Sequence, residues 1–503
     1  MTNDQITGRT ALFKRYALRA ETRDFLAEPK SLWLDGRWQN AEGGKTFAVE
    51  DPASGVTIAN VAEASAADVG LAVAAARRAF ESGPWPKLRP RDRERLLTTL
   101  AELVEADAET LAELETLDNG KPLAEARDDV AGAVDYLRYL AGWATKLDGG
   151  VKTLGVPGSF AYTRLEPVGV VGAIVPWNFP FSMALWKVAP CLATGCTVVL
   201  KPAEQTPLTA LRLAELVEAA GYPAGVVNIV TGTGPIAGAA LVSHPDVDKI
   251  AFTGSTRVGR EIGAEATRRL ARVTLELGGK SPVLVFDDAD IDAAIAGACN
   301  AIFYNQGQVC TAGSRLYVHR SRYREVADAV AAYADALALG HGFADGVGMG
   351  PLVSAAQRAT VERYIDIAEA EGAVRLTRAR KLPEAGHFVA PTVFADVKPG
   401  MRCVDEEIFG PVLVCAAFDS DEEAIELANA TRYGLAASVW TRSLSRAHSV
   451  SAAVRAGTVW VNNHWVVDPA MPFGGVGQSG VGRELGREQL DAYLETKSVT
   501  MLL

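Results

Sequence analysis

The thiol of Cys310, in the segment 305–315, is the side chain in this sequence best suited to covalent chemistry. Small residues and a glycine around it leave its sulfur sterically open. A lone cysteine is usually only a small buried hydrophobic residue, so the thiol alone predicts little. Glu276 adds to the pattern, because it ends an apolar, strand-like run and is soon followed by Gly278 and Gly279. A carboxyl group in an apolar setting has a raised pKa and can act as a general base.

Short apolar runs that alternate with helical segments must position these two residues. The runs predict five strands, at Val168–Val175, Thr197–Leu200, Val226–Val230, Lys249–Phe252 and Val273–Leu275. This alternation is typical of βαβ units and of a parallel sheet buried on both faces. Ligands bind such sheets beyond the carboxyl ends of their strands. We therefore expect one edge of the sheet to carry the segments Pro176–Pro180, Lys201–Glu204, Thr231–Gly234 and Thr253–Thr256.

The flanking regions carry separate features, and the second half of the chain continues the α/β style. Weak helical signals over residues 1–30 predict a partly ordered arm. Residues 149–167 predict a hairpin, and Asp491–Leu503 predicts a strand-like tail suited to pairing with the sheet edge of another subunit. A helix over Pro207–Ala220 is expected to have Thr206 as its N-terminal cap.

Three segments in order carry a recognisable pattern: Pro176-Trp177-Asn178-Phe179-Pro180, then 273–280 around the glutamate, then 305–315 around the cysteine. Together they resemble the NAD(P)-dependent aldehyde dehydrogenase superfamily, in its hydrolytic, carboxylate-forming branch. The resemblance extends from about Trp33 to the C-terminus. Its separate motifs occur in the family's order, which makes a chance match untenable.

The resemblance implies an α/β fold with three parts. A parallel-sheet, Rossmann-like dinucleotide-binding domain would comprise residues 1–148 and 167–277, and an α/β catalytic domain residues 278–482. Residues 149–166 and 483–503 would supply a small β oligomerisation hairpin and its partner. The implied assembly is a homotetramer, a dimer of dimers.

The resemblance also implies a role for each catalytic residue. The Cys310 thiolate would attack the aldehyde, and the Asn178 amide with the backbone N–H of Cys310 would hold the resulting oxyanion. After hydride transfer, Glu276 would deprotonate the water that hydrolyses the thioester. Lys187, in the helix after the asparagine loop, would relay protons.

The expected cofactor is NAD, with NADP less favoured. Gly254 and Ser255 form a strand-to-helix turn whose N–H groups would face a pyrophosphate. Lys201 and Glu204 would hold the adenine ribose, and the Glu204 carboxylate would repel a 2′-phosphate. Glu407 would bind the nicotinamide ribose. The remaining predicted cofactor contacts are Val175, Pro176, Trp177, Ala203, Gly234, Leu277 and Phe409. A literal G-x-G-x-x-G at 475–480 follows no strand and is interpreted as a loop.

Six side chains align with the family's substrate tunnel: Phe179, Trp186, Val309, Trp465, Val467 and Phe473. They predict an apolar tunnel that accepts rings, and hence an aromatic or arylalkyl aldehyde of the phenylacetaldehyde or benzaldehyde type. The six include no arginine, which disfavours carboxylated semialdehydes. His464 and Asp468 lie in the same loop, so a medium-chain aliphatic aldehyde or an amino aldehyde is the second candidate.

Bulk properties exclude several other classes. A chain of 503 residues suggests two or three domains, and its net charge of −11 argues against nucleic acid or an anionic membrane as partner. No apolar run reaches the length of a membrane span. Six scattered cysteines without a C-x-x-C pair fit a reducing compartment, and we expect a cytoplasmic protein without a metal.

Three other functions are weighed against this prediction. A coenzyme-A-acylating aldehyde dehydrogenase is disfavoured, because that branch typically lacks the glutamate base. A non-redox cysteine acyl hydrolase would need a histidine partner, and no histidine here has a recognisable context. A non-enzymatic structural protein would have no use for Asn178, Glu276 and Cys310 together.

Overall fold

The fold is described from a computed structural model, which covers residues 3–503 and side chains from residue 5 onward. Its helices are α1 Asn3–Arg15, α2 Ala20–Phe25, α3 Ala66–Glu81, α4 Pro90–Ala106, α5 Ala108–Asn119, α6 Leu123–Trp143, α7 Pro180–Thr194, α8 Leu208–Ala219, α9 Ala239–Ser243, α10 Thr256–Arg268, α11 Ile291–Phe303, α12 Tyr323–Ala336, α13 Ala355–Ala370, α14 Arg402–Asp405, α15 Asp421–Asn429 and α16 Leu444–Ala453. Its strands are β1 Leu32–Leu34, β2 Arg37–Gln39, β3 Thr46–Asp51, β4 Val56–Ala62, β5 Val151–Lys152, β6 Ser159–Pro167, β7 Val170–Ile174, β8 Thr197–Lys201, β9 Val227–Ile229, β10 Lys249–Thr253, β11 Arg272–Glu276, β12 Pro282–Val285, β13 Arg315–His319, β14 Val374–Arg375, β15 Thr392–Ala395, β16 Val412–Phe418, β17 Ala436–Trp440, β18 Thr458–Val461, β19 Gly480–Val481 and β20 Leu494–Leu502.

The first sheet has eight strands in the order β19-β11-β10-β7-β8-β9-β1-β2. Its five central strands, β11 to β9, are mutually parallel, whereas β19 and the β1–β2 hairpin are antiparallel additions at the two sides. Every residue of β7, β8 and β10 is buried, because helices cover both faces of the sheet. The predicted α/β architecture with a parallel sheet is confirmed.

The strand ends of this sheet bring polar side chains to one edge. Lys201, Thr253 and Glu276 are the last residues of β8, β10 and β11, and Thr253 pairs with Glu276 in the parallel register. Because parallel strands end at the same side of a sheet, this edge is where the sheet can bind a ligand.

The second sheet has seven strands in the order β14-β15-β16-β13-β12-β17-β18, and all its pairs are parallel except β14–β15. It is built from residues 374–461 together with β12 and β13. The segment that presents Cys310 lies between α11 and β13, so the cysteine belongs to this half of the molecule.

The tail forms β20, which pairs with the chain's own hairpin. β20 pairs antiparallel with β6 of the same chain over nine residues, from Leu494 opposite Pro167 to Leu502 opposite Ser159. Since β20 is the outer strand in the order β20-β6-β5, the pairing with another subunit's sheet edge stays a prediction. With β5, these strands make a three-stranded sheet.

The N-terminal segment is more regular than expected. Within residues 3–30 it forms α1 and α2, and it buries Leu12, Phe13, Phe25 and Leu26 in the main core. The helical signals predicted for these residues are confirmed, since their apolar side chains give the segment a packed face, while partial order of the arm stays a prediction. Met1 and Thr2, the start of that predicted arm, lie outside the described residues.

Helix α8 begins differently from the prediction. Its N-terminal flanking residue is Pro207, no side chain caps it, and the hydroxyl of Thr206 is buried without a hydrogen-bond partner. The assignment of Thr206 as the cap was therefore wrong, because the helix starts one residue later than a Thr206 cap requires.

Membrane-spanning helices and metal-binding clusters are both absent from the described residues. Over residues 3–503, no helix combines the length and apolar character needed to cross a membrane. In the same part of the chain, no group of three histidine, cysteine or acidic side chains is placed to hold a metal ion.

Candidate active site

A cavity of about 560 Å³ lies between the edge of the first sheet and the Cys310 segment. It gathers fifteen of the predicted residues: Asn178, Glu276 and Cys310 of the catalytic set; Pro176, Trp177, Gly254, Ser255, Leu277, Glu407 and Phe409 of the cofactor set; and Phe179, Trp186, Trp465, Val467 and Phe473 of the substrate set. The seven that do not line it are Val175, Lys187, Lys201, Ala203, Glu204, Gly234 and Val309. Both halves of the molecule thus contribute to one site.

A strained turn presents Cys310. Asn305 and Gln306 have left-handed backbone torsions, with φ of 45° and 57°, and Gly307 follows with φ of 70°. A Cβ at Gly307 would lie 2.3 Å from the carbonyl oxygen of Gly410, so only glycine fits there. The backbone N–H of Asn305 donates to the Glu125 carboxylate at 2.9 Å, which fixes the turn from outside.

The Cys310 thiol is half-buried, and its surroundings disfavour the thiolate. Burial, together with the nearby carboxyl groups of Glu407 and Glu276, raises the pKa of the thiol to about 12. In the protein without ligands the sulfur is therefore protonated at neutral pH. Activation needs either proton removal at the moment of attack or a change in the local charge.

Asn178 is tied directly to the Cys310 segment. Its side-chain nitrogen donates to the carbonyl oxygen of Gln308 at 2.9 Å, and Asn305 donates from its own amide to the Asn178 carbonyl at 2.8 Å. Asn119 donates to the Trp177 carbonyl at 2.8 Å and steadies the loop from the other side. The Asn178 amide has a second N–H, so it can donate to an oxyanion on a substrate while remaining held.

Glu276 is a buried carboxyl group without a hydrogen-bond partner. Only 3% of the residue is exposed, and neither carboxyl oxygen is hydrogen-bonded. Burial and the neighbouring Glu484 raise its pKa well above the ordinary value for glutamate. A Cβ at Gly474 would lie 2.7 Å from Glu276 Oε1, so glycine at that position leaves room for the carboxyl group. The raised pKa suits a general base near neutral pH.

Lys187 reaches the cavity only through a partner that the sequence did not suggest. Its buried ammonium pairs with Glu484 and donates to the Thr253 hydroxyl at 2.7 Å. Glu484 lines the cavity, and its second carboxyl oxygen is buried without a partner. It lies 297 positions from Lys187 in the chain and in no recognised motif, so only the fold brings them together.

The loop at 475–480 supports Glu276 from behind. Gly480 pairs with Glu276 in the short strand β19, and the backbone N–H of Leu277 donates to the Ser479 carbonyl at 2.9 Å. The glycine motif was interpreted as a loop, and its last residue in fact extends the first sheet. No dinucleotide-binding geometry is formed there, since β19 is antiparallel to β11 and no α-helix follows it in the described residues.

The cofactor side offers polar groups at two places. Ser255 caps α10 by accepting from the backbone N–H of Val258, and both Gly254 and Ser255 line the cavity, so the positive end of the helix lies at this side. Further along the edge, the Lys201 ammonium lies 3.8 Å from the Glu204 carboxylate. Ala203 lies between them, Val175 donates its backbone N–H to the Lys201 carbonyl, and Gly234 begins a short π-helical turn at 234–238.

Glu407 and Phe409 complete that side from the second half of the molecule. The Glu407 carboxylate accepts from the backbone N–H of Gly279 at 3.1 Å, and burial raises its pKa to about 7. A Cβ at Gly278 would lie 1.9 Å from Glu407 Oε2, which explains the first glycine after the Glu276 strand. The Phe409 ring packs edge-on against Trp177 at 5.2 Å. Helix-end donors at one end and a carboxylate at the other suit a dinucleotide.

Aromatic side chains form the substrate side. Phe179 stacks on Trp465 at 5.5 Å, and Trp186 meets Phe473 edge-on at 5.4 Å. Tyr304 packs 5.5 Å from Trp465 and also lines the cavity. Tyr304 was not predicted, although its place just before the Cys310 turn was a usable signal.

Two residues of the predicted substrate region lie elsewhere. Val309 is buried with 4% exposure and faces a small cleft that also contains Ala312 and Gly410. His464 is buried, and its two ring nitrogens lie 3.1 Å from the Ser438 hydroxyl and the Thr311 carbonyl. Burial lowers the pKa of His464 to about 4, so it is a neutral structural residue. Asp468 does line the cavity.

Comparison with known proteins defines the class. Residues 38–499 match the model of the aldehyde dehydrogenase family. A phenylacetaldehyde dehydrogenase of Pseudomonas fluorescens is 49% identical over 95% of this chain and 97% of its own length. A mitochondrial aldehyde dehydrogenase of Mesocricetus auratus is 49% identical over 93% of this chain and 94% of its own.

The solved structures agree with this assignment. A structure of the NAD+ complex of an aldehyde dehydrogenase from Bacillus cereus superimposes with a TM-score of 0.95. It is 49% identical to this chain, and the match covers 97% of this chain and 99% of that one. The chain belongs to the aldehyde dehydrogenase family, and the predicted fold and class of enzyme are confirmed.

The raised pKa of Cys310 predicts the pH dependence of its alkylation in protein without cofactor. The Cys310 thiol is mostly neutral below its pKa of about 12. In that range the reactive thiolate fraction grows about tenfold for each pH unit. The rate of Cys310 modification by iodoacetamide should therefore rise about a hundredfold from pH 7 to pH 9 without reaching a plateau. Peptide mass spectrometry follows the modification, with C310A as the blank, since the other five cysteines are buried. A plateau below pH 9 would contradict the assignment.

Proposed function

We propose that the chain oxidises an aldehyde to the carboxylic acid with NAD, through a covalent thioester on Cys310. The observation that carries this is one cavity containing a half-buried thiol, the held amide of Asn178 and the unpartnered carboxyl of Glu276. The cofactor is NAD, as in the related Bacillus cereus structure. Lys201 and Glu204 receive the adenine ribose, and the Glu204 carboxylate disfavours a 2′-phosphate.

The first half-reaction forms and oxidises a covalent adduct. The Cys310 thiol loses its proton to solvent, and its sulfur bonds to the aldehyde carbon, giving a thiohemiacetal oxyanion. The free N–H of Asn178 and the backbone N–H of Cys310 stabilise the oxyanion. Glu407 and the Gly254–Ser255 turn would hold NAD beside this carbon, where NAD would supply the hydride acceptor. The oxyanion collapses to a carbonyl, and the product on the enzyme is a thioester.

The second half-reaction hydrolyses the thioester. Glu276 takes a proton from water, the hydroxide oxygen bonds to the thioester carbon, and the carbon–sulfur bond breaks to release Cys310 and the acid. The base must shed its proton afterwards. Glu484, whose charge contributes to the raised pKa of Glu276, and Lys187 behind it provide a route away from the cavity.

The favoured substrate is an aromatic or arylalkyl aldehyde. Stacked and edge-on rings of Phe179, Trp465, Trp186 and Phe473 favour flat apolar groups, because such pairs gain stability beyond simple burial. The Pseudomonas fluorescens relative named for phenylacetaldehyde supports the same choice. Medium-chain aliphatic and amino aldehydes are second, and coenzyme A acylation is disfavoured by the presence of Glu276.

The assembly we infer is a homotetramer of these chains. The three-stranded sheet exposes Val151, Phe160, Met501 and Leu502, and the connection between β5 and β6 exposes Leu154. Such a group of exposed apolar side chains marks an interaction surface. A sedimentation mass of a single chain would contradict this. The domain boundaries at 148–149, 166–167, 277–278 and 482–483 and the cytoplasmic location remain predictions.

Substituting Glu276→Gln should separate the two half-reactions. The variant keeps the thiol and the oxyanion donors, so mixing with aldehyde and NAD should give a burst of about one NADH per site. Steady turnover should fall about 100-fold or more, because the general base is lost. Stopped-flow fluorescence measures both phases, and mass spectrometry should detect the acyl group on Cys310. C310A is the control, with neither burst nor turnover; normal steady turnover of E276Q would refute the role of Glu276.

A panel of aldehydes tests the aromatic side of the cavity. Phenylacetaldehyde and benzaldehyde should give higher kcat/KM than aliphatic aldehydes of similar length, measured with NAD and with NADP. Trp465→Ala should lower kcat/KM for the aromatic compounds by about tenfold, since a stacking partner of the ring is removed. Its effect on a linear aldehyde should be smaller, which separates lost stacking from general damage. Preference of the unmodified enzyme for linear or amino aldehydes would overturn the substrate assignment.

A further inference from the structure

The cavity is lined by carboxyl groups without any basic side chain among the described residues. Seven acidic residues line it: Asp128, Asp129, Asp135, Glu276, Glu407, Asp468 and Glu484. Glu276 and Glu407 belong to the reaction and cofactor sides, Asp129 is paired with the buried ammonium of Lys121, and Glu484 with that of Lys187. Three carboxylates remain that the proposed chemistry does not use.

Those three, Asp128, Asp135 and Asp468, are exposed, and none forms an ion pair with a described residue. Asp128 and Asp135 lie seven residues apart on α6, about two helical turns, which places both on the face that lines the cavity. Asp468 comes from the loop that also carries Trp465 and Val467. Its carboxylate accepts from the backbone N–H of Ala470 at 2.8 Å, which fixes it in a turn. We call these three residues the acidic entrance.

We propose that the acidic entrance sets the charge selectivity of the enzyme: it admits neutral and cationic aldehydes, rejects carboxylated aldehydes and promotes release of the carboxylate product. This rests on the proposed function, because the reaction turns a neutral aldehyde into an anion inside the cavity. Three unpaired carboxylates at the opening repel that anion, and no lysine or arginine among the described lining residues offsets them.

The interior strengthens the effect. Glu276 and the second oxygen of Glu484 are buried in the same cavity without hydrogen-bond partners, so the interior adds carboxyl groups and no cationic side chain that would bind an anionic substrate group. Aromatic walls cannot solvate a carboxylate either, whereas their ring faces attract cations. A carboxylated aldehyde therefore meets repulsion at the entrance and desolvation beyond it.

The test compares three aldehydes of one ring size: benzaldehyde, its para-carboxylate and its para-trimethylammonium derivative. The triple variant D128N/D135N/D468N removes the entrance charges with little change in shape. The matched control D328N/D345N/D366N removes three exposed aspartates that do not line the cavity, so it changes the net charge equally.

In the entrance variant, kcat/KM for the para-carboxylate relative to benzaldehyde should rise roughly tenfold at low salt, from three partly screened charge interactions. The kcat/KM for the trimethylammonium compound relative to benzaldehyde should fall. The kcat/KM for benzaldehyde itself should change less than about twofold. Inhibition by benzoate should strengthen. All these differences should shrink in about 1 M salt, where the Debye length is about 3 Å.

The proposal would be overturned if the entrance variant and the control variant gave the same kcat/KM ratios for the charged aldehydes relative to benzaldehyde. Unchanged inhibition by benzoate in the entrance variant would also overturn it. Failure of the aromatic assignment gives a different result. If benzaldehyde is not oxidised but linear aldehydes are, the same comparison is made with hexanal and with 6-oxohexanoate, which carries a carboxylate at the end opposite the aldehyde. The charge selectivity is then judged independently of ring preference, because it depends only on the entrance.

Discussion

The site depends on one carboxyl group held in an apolar place without a hydrogen bond. Glu276 ends β11, with its oxygens facing the cavity and no donor in reach. Burying an ionised carboxylate in this way is costly, so the group resists ionisation and its pKa rises. The molecule provides two separate supports for the position: the parallel strands bring Glu276 to the sheet edge, and β19 fixes its backbone from the other side. The raised pKa makes the Glu276 carboxylate a stronger base than an ordinary glutamate, so it can accept a proton from water that lies beside it.

The glycines around this carboxyl group have steric reasons that can be stated individually. Gly278 leaves space for the Glu407 carboxylate and Gly474 leaves space for Glu276 itself. Gly307 permits the turn that presents Cys310 and a close approach to the backbone at Gly410. At each of these positions a side chain larger than glycine would collide with a group that the site needs. The same packing brings Cys310 close to two carboxyl groups, which together with burial disfavours its thiolate.

Much of this could be predicted from sequence, because the informative signals are local. Apolar runs alternating with helices predicted the parallel sheet and the edge that carries Lys201, Thr253 and Glu276. The motif around Asn178 predicted a loop at a strand end, and that is where the residue lies. Fifteen of the predicted residues then line one cavity, although the roles given to them rest on the family resemblance and on the experiments above.

The remaining features depend on contacts between distant segments. Glu484 meets Lys187 across 297 positions, and Asp128 reaches the cavity from a helix that carries no motif. Val309 follows the tunnel pattern in sequence but points into a cleft behind Cys310, since the left-handed turn before it rotates the chain. The tail shows the same limit: its alternating pattern predicted a strand, but pattern alone could not distinguish its own hairpin from another subunit as partner.

The protonation state of Glu276 tests the central claim most directly. Infrared difference spectroscopy of the protein without cofactor can follow the carboxylic acid C=O stretch, with the band assigned by its loss in E276Q. A Glu276 carboxyl that keeps its proton well above the ordinary range for glutamate is the predicted result. A Glu276 that is fully ionised at pH 6 would contradict the account, because the apolar, donor-free setting would then not control this carboxyl group.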